Sequence, residues 1–141
     1  MIERLHKEAG YSLVEVMVSI LILTMAIIPM FAMFDVGLRS ATLGGNYDRA
    51  RAFAAGKLEE TKRLPYEQLK ARYPVSAAPT VLPATGSGLP QSSTCTVDTD
   101  YLRVSGERFV TDNSRDRGLM RVTVTVTWPQ GSYTTMGLKA R

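Results

Sequence analysis

The sequence predicts an α+β chain: one long N-terminal helix packed on a small antiparallel sheet of three to four strands. Three observations carry that prediction. Residues 16–34 hold no charged side chain, residues 47–61 repeat apolar positions at three- and four-residue spacing, and residues 120–128 alternate apolar with polar. The second pattern is the period of an amphipathic helix, and the third is that of a half-buried strand. At 141 residues there is room for one membrane helix and one small domain.

The uncharged run has about the length a helix needs to cross a ~30 Å hydrocarbon core at 1.5 Å per residue. Leu, Ile, Val, Met and Ala fill it, and Ser12, Ser19 and Thr24 are its small polar interruptions. Pro29 sits inside. Its ring removes the N–H that would bond the carbonyl of Met25, so a local break or kink is expected there. Simple tolerance is the competing reading, because neighbouring membrane helices re-satisfy such a carbonyl. Glu15 falls in the first turn. An ionised carboxylate in lipid is costly unless it is paired or protonated, which makes Glu15 a functional candidate in need of a partner. A cut after Gly10 would create one, the new α-amino group of Tyr11.

Past Gly44-Gly45, a candidate hinge, the helix is expected to resume. Tyr47, Ala50, Ala54, Leu58 and Thr61 form its apolar stripe with Phe53 beside them, and Arg49, Arg51, Lys57, Glu59, Glu60, Lys62 and Arg63 take the other faces. Pro65 ends the helix at about Leu64. Residues 74–93 carry four prolines and no periodicity, which reads as a surface loop. Strand character follows over 101–104 and 107–110, where the apolar phase slips at Gly106. A bulge or a tight Ser105-Gly106 turn accounts for the slip. Asp112 to Gly118 reads as a polar loop. Met120, Val122, Val124, Val126 and Trp128 alternate with Arg121, Thr123, Thr125 and Thr127, Pro129-Gln130-Gly131 makes a turn, and Thr134, Met136 and Leu138 mark a return strand. Short consecutive connections favour a meander.

The segment Gly10-Tyr11-Ser12-Leu13-Val14-Glu15, followed by a membrane-length run, resembles the processing site of type IV prepilins and pseudopilins. That resemblance covers roughly residues 1–35. It implies a leader of residues 1–10 removed by prepilin peptidase on the cytoplasmic side, N-methylation of Tyr11, and assembly through Glu15. Together with the residue patterns above, the expected division is a transmembrane and assembly helix over 11–35, an amphipathic continuation over 36–73, a Pro/Ser/Thr-rich loop over 74–100 and the sheet over 101–141. The resemblance places the chain in a bacterial inner membrane, single-pass, with its N-terminus cytoplasmic and its C-terminal domain periplasmic, before entry into a filament. The departure from the family pattern is Tyr11, where Phe or Met is more usual. An ordinary secretory signal fits poorly, since no small-residue cleavage site ends the apolar run. A plain signal anchor explains the run without explaining Gly10 or Glu15.

No catalytic constellation is present, so no enzymatic activity and no cofactor are expected. The single histidine, His6, lies in the leader, and no Cys/His metal set, phosphate-cradling glycine loop or nucleophile elbow exists. Asp98-Thr99-Asp100 and Asp112-Asn113…Asp116 are oxygen clusters without the spacing of a calcium loop. Cys95 alone cannot close an internal disulfide and is expected in an extracytoplasmic loop. The segment Lys57-Leu58-Glu59-Glu60-Thr61-Lys62-Arg63-Leu64-Pro65-Tyr66 and the strand ending Trp128-Pro129 are similar to minor pilins and to minor pseudopilins of type II secretion. The implied partners are other pilins or pseudopilins, prepilin peptidase, an inner-membrane assembly platform and membrane lipid. The net charge of +4 leaves nucleic acid as a further partner. For a DNA-capturing tip subunit, Arg103, Arg108, Arg115, Arg117 and Arg121 are the candidate residues.

Overall fold

A computed structural model describes residues 12–75, 78–105 and 108–141. The chain divides into two compact units, Met1–Ala41 and Thr42–Arg141. Helix α1 (Leu13–Arg63) contributes to both, and a short helix α2 (Tyr66–Arg72) follows it. Among the described residues five strands come next: β1 (Thr80–Pro83), β2 (Thr94–Ser105), β3 (Arg108–Thr111), β4 (Leu119–Trp128) and β5 (Gly131–Ala140). The fold is α+β, with the helix packed on an antiparallel sheet.

In the first unit every described residue of α1 is exposed. The helix runs unbroken through Pro29, against the expected break. A single proline deletes one backbone bond and leaves the turns on either side intact, and the apolar run of residues 16–34 holds no glycine and no second proline to weaken it further. Gly44-Gly45 likewise lies within α1 and forms no break. In the second unit Ala50, Ala54, Leu58 and Thr61 are buried, as their spacing predicts, but Asn46 is buried where Tyr47 was expected. Tyr47 stays half exposed and meets the edges of Trp128 and Tyr133, with ring centroids 6.5 and 5.5 Å away.

The sheet is a meander in the order β1-β2-β4-β5. Its buried face presents Cys95, Val97, Met120, Val122, Val124 and Val126 to the Ala50/Ala54/Leu58 stripe. Small residues on the helix let it approach the valines closely, and this packing makes so small a core viable. Strand β3 pairs with the far end of β2, Leu102 opposite Thr111, while the preceding Tyr101 pairs with Met120 of β4. Strands β3 and β4 therefore continue one line along β2, interrupted by a looped-out polar excursion after Thr111. The Gly106 half of the expected turn lies outside the described residues, and its flanks Ser105 and Arg108 are register partners.

Three sequence expectations need correction. The segment expected as loop over 74–100 holds β1 and the first half of β2, giving five strands rather than three or four. In Thr94-Cys95-Thr96-Val97-Asp98-Thr99-Asp100 only Cys95 and Val97 are apolar, so the alternation is nearly invisible. Strand β1 sits on the sheet edge, where Pro83 is tolerated. Cys95 lies in β2 and is fully buried, not in a loop, and burial pushes its thiol up. Finally, β5 has the opposite phase to that expected. Met136 and Leu138 are 63% and 44% exposed, while Tyr133, Thr135, Gly137 and Lys139 face the helix. The turn fixes this, because Trp128 pairs with Gly131 and each later residue follows in register. Gly137 is inward because the helix comes close there: a Cβ would meet Leu58 Cδ1 at 3.3 Å and Lys62 Cδ at 3.2 Å.

Candidate assembly site and polar clusters

Glu15 stands in the first turn of α1, where the exposed N–H groups of the helix end favour a negative charge. Its carboxylate is exposed, and among the described residues it has no ion-pair partner. Its backbone carbonyl accepts a 2.8 Å hydrogen bond from Ser19 Oγ, and Thr24 Oγ1 donates to the carbonyl of Leu21 at 2.8 Å. These hydroxyls are thus satisfied within their own helix, the ordinary behaviour of mid-helix Ser and Thr. Gly10 and Tyr11 lie outside the described residues. The apolar surface closes at Asp35, which pairs with Arg39 one turn on at 2.9 Å. Helix α1 is long and apolar enough to cross a membrane, and none of its most apolar window is buried within the chain.

The aspartate clusters are occupied by the chain's own donors. Asp116 accepts Tyr66 Oη at 2.6 Å, Lys70 Nζ at 2.9 Å and the Gly118 N–H at 2.9 Å. The Tyr66 hydroxyl and the Lys70 ammonium hold its carboxyl down at about 2, and burial together with the Asp116 bond pushes the Tyr66 phenol well above its ordinary range. Burial pushes the Asp100 carboxyl up, but the Arg121 guanidinium and the Asn113 amide outweigh it and leave the group below the usual carboxylate range. Asp112 is held down by the Ser114 hydroxyl, with Arg117 3.7 Å away. Asp98 Oδ1 accepts the Thr99 N–H. Among the described residues no group of three His, Cys, Asp or Glu side chains could hold a metal ion.

A hollow of about 660 Å³ lies between α1 and the segment after β1, lined by Arg49, Phe53, Gly56, Lys57, Glu60 and Pro83 among others. Its charges are already spent: Arg49 donates to the carbonyl of Gly88 at 3.0 Å, and Lys57 pairs with Glu60 at 2.9 Å.

The site signal is therefore concentrated at the N-terminus, and comparison with known families decides what it is. Residues 5–31 match the prokaryotic N-terminal methylation motif. The chain carries the type IV prepilin-like signature. The motif spans Gly10, Tyr11, Glu15 and Pro29, and it is that of type IV pilin-like precursors, a structural rather than enzymatic group. With the exposed apolar helix it points to membrane anchoring and to assembly with other pilins. No curated protein and no solved structure matches the chain. Sequence reasoning missed the Tyr66–Asp116–Lys70 cluster, whose only sequence trace is the helical spacing of Tyr66 and Lys70.

Proposed function

We propose that this chain is a structural subunit of a type IV pilus-like filament, a minor pilin in kind. Prepilin peptidase cuts after Gly10, Tyr11 becomes the N-methylated first residue, and α1 anchors the subunit in the inner membrane with its N-terminus cytoplasmic. An assembly platform then draws it into the filament. The observation that carries this reading is Glu15, a charged group with no ion-pair partner among the described residues, at the head of an apolar helix inside a methylation motif.

In the assembled state the Glu15 carboxylate pairs with the α-amino group of Tyr11 on a neighbouring subunit. Such a buried pair adds little net stability, but it selects register, because any other register leaves charge unpaired in an apolar bundle. Membrane helices gain no hydrophobic driving force from meeting one another, which leaves this role open to the pair. Glu15→Leu tests the mechanism: the variant is cleaved and remains in the membrane fraction but is absent from sheared filaments. Incorporation at the wild-type level would refute it. A minor pseudopilin of type II secretion is built on the same N-terminus. A second reading, a DNA-capturing subunit, rests on Arg103 and Arg108, exposed on β2 and β3 and without an ion pair among the described residues.

A further inference from the structure

The two edges of the sheet differ in how much backbone they leave unpaired. Backbone groups in an antiparallel ladder point alternately toward and away from the neighbouring strand. On β5 the phase is fixed by the Arg141 N–H, which donates to the Gly118 carbonyl at 2.9 Å, in register with Trp128↔Gly131. Gly131, Tyr133, Thr135, Gly137 and Lys139 therefore bond β4, while Ser132, Thr134, Met136, Leu138 and Ala140 turn their N–H and C=O groups to the open side. Among the described residues no strand lies beyond β5, so an edge of 10 residues is left unpaired. Met136 and Leu138 are exposed along it. The opposite edge is blunted. There the Ala84 N–H donates to the Ser93 carbonyl at 3.2 Å, in register with Thr80↔Val97, which turns Val81 and Pro83 to the open side. Pro83 has no N–H, so Val81 alone supplies an outward donor on β1.

We infer that the free edge of β5 is a strand-addition site, which takes an extended segment of a different filament subunit as the next strand of the sheet. A β-strand is the occupant because a backbone repeats donor and acceptor at every second residue, the spacing of the open groups on β5. Apolar side chains at alternate positions of that segment cover Met136 and Leu138. A second copy of this chain is a poor source. Its β1 edge lacks the donors, and its β5 edge runs the wrong way. Strand β5 lies along α1 in the same sense, with Tyr133 against Tyr47 and Lys139 against Lys62. An antiparallel β5–β5 pair would set the two helices in opposite senses, whereas subunits anchored through α1 in one membrane hold them alike. Lys139, the one charge on the strand, faces the helix, which guards against indiscriminate edge pairing without closing the donor row. The inference names a contact within the proposed filament and rests on that reading.

The experiment expresses full-length variants in the native host in place of the wild-type chain and reads their content in membranes and in sheared filaments. Met136→Pro removes an outward N–H that β4 does not use, and an edge strand tolerates proline. The variant is expected to stay folded and membrane-bound while its filament content falls about tenfold or more. Met136→Ala keeps the N–H and retains most of the wild-type content, and Val81→Pro, the matching position on the blunted edge, leaves it unchanged. Unaltered circular dichroism of the detergent-solubilised variants keeps the comparison one of assembly. Hydrogen exchange of the wild-type chain gives a second reading free of any folding defect: the Met136 amide exchanges fast in detergent and about tenfold slower or more in filaments. Wild-type incorporation of Met136→Pro, an equal loss in Met136→Ala or Val81→Pro, or equal exchange in the two states would each overturn the assignment. So would a detergent-solubilised chain that dimerises through β5, since the second copy is then the occupant. Absence of the wild-type chain from filaments refutes the filament reading and this inference together, whereas failure of the edge variants alone leaves the filament reading standing.

Discussion

Lys139 Nζ donates a 2.8 Å hydrogen bond to the backbone carbonyl of Lys62, tying the end of β5 to the last turn of α1. That carbonyl is one of the four a helix end cannot satisfy itself, and a cation there also complements the negative end of the helix dipole. The contact explains why a lysine faces inward on an edge strand, a placement that in addition discourages edge-to-edge aggregation. Lys139→Met keeps the aliphatic stem and removes the donor. It is expected to destabilise the fold by about 1 kcal/mol and lower Tm by roughly 5 °C, read by thermal melts of the detergent-solubilised chain.

The inverted phase of β5 separates two methionines that the alternation would treat alike. Met120 is fully buried in β4, whereas Met136 is mostly exposed. Met120→Ala should cost about 2–5 kcal/mol through lost burial and the cavity left behind, while Met136→Ala should stay within about 0.5 kcal/mol. Denaturant midpoints of the two variants decide it, and equal costs would mean that β5 is registered one residue away from the pairing described.

Asp116 makes stability depend on acid. Its carboxyl is depressed to about 2 in the folded chain against about 3.9 unfolded. The group therefore contributes stability that is fully present above about pH 4 and is lost as pH falls toward 2. Removing the phenol with Tyr66→Phe should raise the Asp116 pKa toward its ordinary value, cost about 1–3 kcal/mol at neutral pH, and shallow the acid limb of the stability curve. Carboxyl titration by NMR and urea midpoints at pH 7 and pH 3 provide the check.

How much of this was legible depended on how strongly each element repeats. The stripe Ala50/Ala54/Leu58/Thr61 and the valines of β4 are full-amplitude periodic patterns, and the structure packs them against each other. Strand β1 is hidden because Val81 and Pro83 face outward and Leu82 alone is apolar on its inward side, and the first half of β2 because threonines and aspartates fill its outward positions while only Cys95 and Val97 are apolar inward. The phase of β5 is not legible from apolarity, because a two-residue turn decides the register and the approach of Leu58 requires Gly137 to face in. At the candidate site, Glu15 was legible because a lone charge against an uncharged run is conspicuous in one dimension. The Tyr66–Asp116–Lys70 cluster was not, since it joins residues some fifty positions apart.

In the proposed assembly a cut after Gly10 releases a new amine at Tyr11 to meet Glu15. Intact-mass and N-terminal analysis of the chain isolated from the membranes of its native host tests this most directly. A polypeptide beginning at N-methylated Tyr11 is the predicted result. A polypeptide that still begins at Met1 would contradict it.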